Sequence, residues 1–294
     1  AELRSIFVSC DLGDFLPERW ELDPQHEASL AASGISPDAA AAAGIISLGH
    51  HWLQKLGIAR NAYEIGERLC VFFYLDPWGR PYTHTLDDGT EIPFCRCRLN
   101  VARGNQKYTQ PSGSGIRPYF PRVPAMGQWA SRAGYDDSEV ATGYPEIDAI
   151  VSEGEKKSLK ASLEGFPTIG VGGVWNFRGT DLPIHRDLWL IISRSRSVTV
   201  VFDNDCSHKP QVVGAANSLI QGILDMFAVL GRDPKEALKD VREGKGGTRH
   251  PSTYIYWSLL PQTIHGDKLG LDDLLVHDQG REILTRLIDV RLPG

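Results

Sequence analysis

The chain of 294 residues contains no run of about 18 apolar residues, so it offers no membrane-spanning helix. It shows no basic start followed by an apolar stretch, the pattern of a secretory leader. It opens at Ala1 rather than Met, as a processed chain or an excised fragment would. Cysteines are few, odd in number and scattered: Cys10, Cys70, Cys95, Cys97 and Cys206. Such usage points to reduced thiols in a cytoplasmic setting rather than a disulfide framework. Cys95-Arg96-Cys97 is too tightly spaced for a zinc-binding pair, and no zinc is expected. On a strand both thiols face one side, as two small buried residues would. P-loop and dinucleotide fingerprints are missing, which removes the common nucleotide-binding signatures.

Acid is missing from one long stretch. Between Cys95 and Tyr135 there is no Asp or Glu, although the net charge of the chain is -6. Arg96, Arg98, Arg103, Lys107, Arg117, Arg122 and Arg132 fall there, interleaved with Tyr108, Tyr119, Phe120 and Trp129. Basic side chains with aromatic platforms suit a single strand or nucleotide phosphates. The plainer reading is a strand region whose arginines pair with acids elsewhere.

What is present instead is acid in three small clusters: Glu153-Gly154-Glu155, Asp203-Asn204-Asp205 and Asp272-Asp273. The first two follow the apolar runs Ala149–Val151 and Val198–Phe202, which read as buried parallel strands. The third follows the strand-like Thr253–Trp257 after a loop. Ligands of open α/β sheets bind beyond the carboxyl ends of the strands. Carboxylates gathered there repel one another unless a cation lies between them, and oxygen donors suit Mg²⁺ or Mn²⁺.

The length is comfortable for two domains. Ser36-Pro37-Asp38 starts a helix, with Ser36 as N-cap, and Gly44 ends it. Leu69–Tyr74, Tyr82–Thr85 and Phe94–Leu99 read as three strands joined by the turns Asp76–Gly79 and Asp87–Gly89, an antiparallel meander. Asn105–Pro124, rich in Gly, Pro and aromatics, is expected to wrap over that sheet. A fall in apolar content around Ser131–Tyr144 divides an α+β N-terminal part, 1–145, from an α/β part, 146–294. In the second part strands are expected at 149–152, 167–171, 198–203 and 253–259. Helices are expected at 156–164, 184–193, 211–230 and from Leu271 onward. That alternation predicts a mostly parallel, Rossmann-like sheet. The polar segment 232–252 reads as an exposed insertion.

Each cluster carries a role. Glu153, at a strand end, is placed as metal ligand or general acid/base, and Gly154 permits a tight bend. Lys156 and Lys157 stand in the first helical turn, where a positive charge is unfavourable, so contact with phosphate is expected, with a solvated helix start the plainer account of one of the two. Asp203 and Asp205, two apart, face one side and can share metal ions. Asp272 as an N-cap is a complete structural account of itself. The Gly170–Trp175 stretch, with Gly172 and Gly173, lets backbone approach phosphate closely.

In this order, the strand with Glu153-Gly154, the strand with Asp203-Asn204-Asp205 and the later Gly270-Leu271-Asp272-Asp273 resemble the TOPRIM fold. That fold is shared by DnaG-type primases, topoisomerases and some nucleases. Val151–Lys157 and Gly170–Trp175 look like a TOPRIM-like family of unknown function found on plasmids, phages and other mobile elements. Phe73–Arg80, Cys97–Leu99 and Lys107–Pro121 resemble the basic subdomain that precedes TOPRIM in primase cores. The zinc module and helicase domain of cellular primases have no counterpart here, and a lysine pair follows Glu153-Gly154-Glu155.

The resemblance implies a primase-type nucleotidyltransferase that makes short primers on single-stranded DNA during replication of a mobile element. Glu153, Asp203 and Asp205 would be catalytic. These three, with Asp272 and Asp273, would hold Mg²⁺ or Mn²⁺. Arg96, Arg98, Lys107, Arg117, Lys156, Lys157, Gly172 and Gly173 would meet template or nucleoside triphosphate. A replicative helicase, in this chain or another, is the expected partner. The alternatives are a TOPRIM nuclease, and a non-catalytic nucleic-acid or nucleotide-binding module of a replication or defence complex.

Overall fold

A computed structural model describes residues 2–64, 66–104, 106–135, 147–204, 209–229, 254–261 and 268–289. Asp205 and the 232–252 segment lie outside them, as does the expected domain boundary near 145.

The first half runs α1 (Glu2–Ser9), α2 (Pro24–Ala31), α3 (Pro37–Ala42), β1 (Ile45–Leu48), α4 (His50–Lys55), β2 (Leu69–Phe73), β3 (Thr83–Thr85), β4 (Glu91–Pro93), β5 (Cys95–Arg103), β6 (Gln106–Thr109) and α5 (Trp129–Arg132). Pro37 opens α3, and the Ala39 N–H donates to Ser36 Oγ at 3.2 Å, the cap expected from the sequence. The main sheet has the order β1-β2-β5-β6 and is antiparallel throughout. It is not the expected meander: β2 pairs directly with β5, and β3 with β4 forms a separate two-stranded hairpin. Pro81 and Pro93, which have no N–H for a ladder, stand where the hairpin departs. Two elements add to the expectation. β1 is a fully buried strand, and β6 forms inside the segment expected to wrap as loop. Cys95 and Cys97 face one side and pack with Leu69 and Val71 in the core of this half.

The second half runs β7 (Asp148–Glu153), α6 (Glu155–Leu163), β8 (Thr168–Val171), α7 (Arg186–Ile192), β9 (Ser197–Phe202), α8 (Pro210–Val229), β10 (Tyr254–Leu259), α9 (Leu271–Val276) and α10 (Gly280–Asp289). The sheet order is β10-β9-β7-β8, with every pairing parallel. β-Branched residues fill β9, and their period of two serves two cores. Val198, Val200 and Phe202 pack with α7 and α8, whereas Val201 and Ile150 pack with α6, α9 and α10. Helices thus cover both faces, the α/β architecture expected from the alternation.

Residues before the undescribed stretch 136–146 also enter the core of the parallel sheet. Phe120, Trp129 and Ala133 belong to the parallel-sheet core. Tyr119 exchanges both backbone hydrogen bonds with Gly170, each 2.8 Å, on the β8 edge. Among the described residues, no helix is long and apolar enough to cross a membrane.

Candidate functional site

The connection from β7 to β8 runs one way across the sheet, and the return to β9 and β10 runs the other. The switch point therefore lies between β7 and β9, and a crevice outside the carboxyl ends of the strands is expected there. Glu153 ends β7 and Asp203 directly follows β9. Both line a cleft of about 620 Å³, together with Asp272 and Asp273. The opposite wall belongs to the antiparallel sheet: Arg96 and Arg98 of β5, Lys107 and Tyr108 of β6. The acid-free stretch and the acid clusters thus meet across one cleft.

At its floor, Gly154 turns the chain from β7 into α6 with φ +93°, a conformation that favours glycine. Its N–H donates to the Val171 carbonyl at 2.8 Å, and its own carbonyl accepts from Ser158 Oγ at 2.8 Å. Glu155 then falls inward and is 1% exposed. Its Oε1 accepts from the Tyr74 hydroxyl and from Arg96 Nη1, each at 2.6 Å. Arg96 also lies 4.6 Å from the Tyr108 ring centroid. Burial raises the Tyr74 hydroxyl well above the usual tyrosine range, and Glu155 adds to this. Burial opposes the charge on Arg96, but Glu155 and Tyr74 outweigh it and hold the guanidinium above its ordinary value. Arg96 was expected to meet phosphate. Its charge is instead committed to Glu155 inside the fold. Gly172 serves this same contact: a Cβ there would stand 2.4 Å from Arg96 Nη1.

Asp203 is buried and held by two ammonium groups. Lys157 donates to its Oδ1, and Lys268 Nζ lies 2.7 Å from Oδ2. Asn204, next in the chain, is locked to the segment leading into α9. Its side-chain oxygen accepts from the Leu269 N–H at 2.7 Å, and its own N–H donates to the Leu269 carbonyl at 3.0 Å. The second and third acid clusters are thereby held side by side. Lys268 escaped sequence reasoning, although it stands two residues before Gly270.

The third cluster is arranged differently from its expected form. Gly270, not Asp272, is the N-cap of α9. Asp273, at the third helical position, accepts from the Gly270 N–H at 2.9 Å, as acids at that position commonly do. Asp272 is 5% exposed and accepts from Ser33 Oγ at 2.7 Å, which ties α9 to the end of α2. Lys156 reaches the same neighbourhood and donates to the Ser29 carbonyl at 2.9 Å. Burial lowers the Lys156 pKa, Arg98 lowers it further, and Asp272 and Asp273 resist.

Two expected ligand contacts lie elsewhere. The Arg117 guanidinium stacks 5.9 Å from the Tyr82 ring and 5.8 Å from Phe94, apart from the cleft-lining side chains. Gly173 also falls outside the lining, whereas Gly172 is within it. The cleft therefore gathers Glu153, Asp203, Asp272 and Asp273 with Arg98, Lys107, Lys156 and Lys157, and Arg96 forms part of its wall.

The donors suit a hard divalent cation in kind, because all are carboxylate oxygens. Among the described residues, no three His, Cys, Asp or Glu side chains are close enough together to hold an ion. Lys157 and Lys268 supply the positive charge that Asp203 would otherwise draw from a metal.

A family model described as a domain of unknown function, DUF3854, matches residues 139–229. A comparison with curated proteins finds no match. Solved structures do match. The zinc-binding and RNA polymerase domains of the Aquifex aeolicus primase align at TM-score 0.57 and 16% identity, over 97% of this chain and 60% of that one. A DnaG primase catalytic domain bound to single-stranded DNA aligns at TM-score 0.54 and 13% identity, over 99% of this chain and 81% of that one. The RNA polymerase domain of Mycobacterium tuberculosis primase DnaG, in complex with double-stranded DNA, aligns at 0.53 and 14%, over 99% and 81%. The chain thus spans about 60% of the Aquifex structure. At these identities the likeness establishes the fold: an antiparallel sheet region joined to a parallel, TOPRIM-like sheet, as in primase catalytic cores.

Proposed function

We propose that this chain is a primase-type nucleotidyltransferase core acting on single-stranded DNA. The observation that carries the reading is the composition of the cleft. Glu153 and Asp203 stand at the strand ends on one side, and Arg98 and Lys107 face them from the antiparallel sheet. A growing strand needs both: cations to hold its phosphates and carboxylates where the 3′-hydroxyl reacts.

In this reading Asp203 and Asp205, with Glu153, hold Mg²⁺ or Mn²⁺. When bound, such an ion steadies the attacking and leaving oxygens of phosphoryl transfer. Glu153 has no ion-pair partner among the described residues and accepts the proton of the attacking hydroxyl. Arg98 and Lys107 orient the template or triphosphate, and Lys157, once released from Asp203, turns to phosphate. A nucleoside triphosphate as substrate, a replicative helicase as partner, a cytoplasmic setting and the replication of a mobile element complete the proposal. The last rests on the sequence resemblance alone.

The test is direct. Purified protein is incubated with single-stranded DNA, labelled ribo- or deoxynucleotides and Mg²⁺ or Mn²⁺. New oligomers, lost on Asp203→Ala, support the proposal. Shortened template would replace it with a nuclease. Neither product, with nucleic-acid affinity unchanged by Asp203→Ala, would leave a binding module.

A further inference from the structure

The loop after β8 has no lysine and no P-loop spacing, yet it leaves the carboxyl end of the sheet beside the acid cleft. What it carries instead is an aromatic pair and an arginine. Trp175 is 42% exposed, although indoles are usually buried. Phe177 lies beneath it and is 1% exposed, the two rings stacked with centroids 6.4 Å apart and planes inclined by 28°. The far edge of the indole rests on the first turns of α8, with Cζ2 and Cη2 each 3.9 Å from the position a Cβ on Gly214 would take. Trp175 is thus supported from below and from one side, and its exposure is not that of a loose side chain.

The Arg178 guanidinium lies 5.6 Å from the Trp175 centroid and 5.8 Å from that of Phe177. It lies over both rings at nearly equal distances and is shared between them. Arg178 is exposed, and no acid pairs with it among the described residues. Gly172, three residues before Trp175, lines the cleft, so the platform follows directly on a cleft-lining segment at the carboxyl end of the same sheet.

We propose that Trp175 and Arg178 form a stacking platform for one base of single-stranded nucleic acid, with Arg178 receiving the adjoining phosphate. The inference rests on the reading of the cleft given above and adds to it a place where the strand is gripped outside the reacting centre. Every nucleobase has a π-face, so the grip is independent of sequence. A cation next to the ring favours both the electron-rich face and the polyanion.

The experiment is fluorescence anisotropy with a labelled oligothymidylate and an otherwise identical abasic oligomer. Trp175→Ala is expected to weaken oligothymidylate binding by roughly 5- to 150-fold, the range that one base–aromatic stack represents. Trp175→Phe retains most of the affinity and also guards against a folding defect. Against the abasic oligomer, wild type and Trp175→Ala bind alike. Irradiation of an oligomer containing 5-iodouracil crosslinks to the peptide bearing Trp175. Wild type that binds while Trp175→Ala binds equally well overturns the platform and leaves the cleft reading intact. So does an equal loss on both oligomers. Wild type that fails to bind any single strand overturns the cleft reading, and the platform with it.

Discussion

Arg96 Nη1 lies 2.6 Å from Glu155 Oε1, so that one ion pair joins the antiparallel sheet to the first turn of α6. The Glu155 side chain is fully buried and that of Arg96 is 10% exposed. A buried pair owes its presence to geometry, because desolvation offsets much of its attraction. Removing one partner is a different matter, since it strands the other charge in a low-dielectric interior. Glu155→Ala is therefore expected to lose about 3–5 kcal/mol of unfolding free energy in urea. Glu155→Ala combined with Arg96→Met is expected to recover part of that loss. A single substitution that shifts stability by less than about 1 kcal/mol would show the pair to be dispensable.

That pair also marks where sequence reading succeeded and where it stopped. β9 and β7 were legible because the short apolar runs Val198–Phe202 and Ala149–Val151, rich in β-branched residues and ending at or just before an acid, are what a buried parallel strand with a ligand-facing end requires. Ser36 was legible because a cap acts on its own backbone three residues on. Arg96 was not, because its partner is 59 residues away, and a basic residue in a basic stretch looks the same whether it faces phosphate or a buried carboxylate. β1 was not legible for a different reason. It is four buried residues between Gly44 and Gly49, three apolar and Ser47, too short for a period to show. Asp272 was read as a cap because Gly270 has no side chain to advertise one, and Ser33, its actual partner, is 239 residues away.

With Arg96 occupied, the exposed and half-buried cations of the wall carry the electrostatic reading. Lys107 and Arg98 line the cleft, and neither has an ion-pair partner among the described residues. Each phosphate neutralised on a single strand contributes roughly 0.7 to the slope of log affinity against log salt. Arg98→Ala with Lys107→Ala should lower that slope by about 1.4, if each meets one phosphate. Binding isotherms at several salt concentrations measure it. A slope identical to that of wild type would remove the basic wall from the binding surface.

Lys157 and Lys268 compete for the oxygens a metal would use. Any divalent ion at Asp203 must displace at least one ammonium group. Lys157→Gln is therefore expected to tighten Mn²⁺ binding, on the order of tenfold, equivalent to ~1.4 kcal/mol. Asp203→Asn is expected to abolish the same binding. Electron paramagnetic resonance of free Mn²⁺ reads both without reference to activity. Weaker binding in Lys157→Gln would mean that the lysine supports the site and does not occupy it.

Buried neutral groups make the fold sensitive to alkali. Burial pushes the Cys70 thiol up to about 12 from an ordinary 9.0, with Arg98 and Lys156 resisting. Burial likewise raises the Tyr74 and Tyr119 hydroxyls, and Glu155 raises both further. The raised groups hold their protons longer in the folded chain than in the unfolded one. Their stabilisation is thus complete below the unfolded pKa and is lost as pH rises toward the folded one. For Cys70 the window runs from about 9 to about 12, at about 1.4 kcal/mol per pH unit. Urea midpoints should therefore hold steady up to pH 9 and fall above it, and Cys70→Ala should soften that fall. The same burial makes the thiol unreactive. At pH 8 iodoacetamide should label the exposed Cys10 in the folded chain and reach Cys70 only after unfolding, as read by mass spectrometry of the two peptides. Equal labelling rates at the two sites would mean that β2 opens to solvent in the native state, and the Tyr74–Glu155–Arg96 contact next to it would then have to open as well.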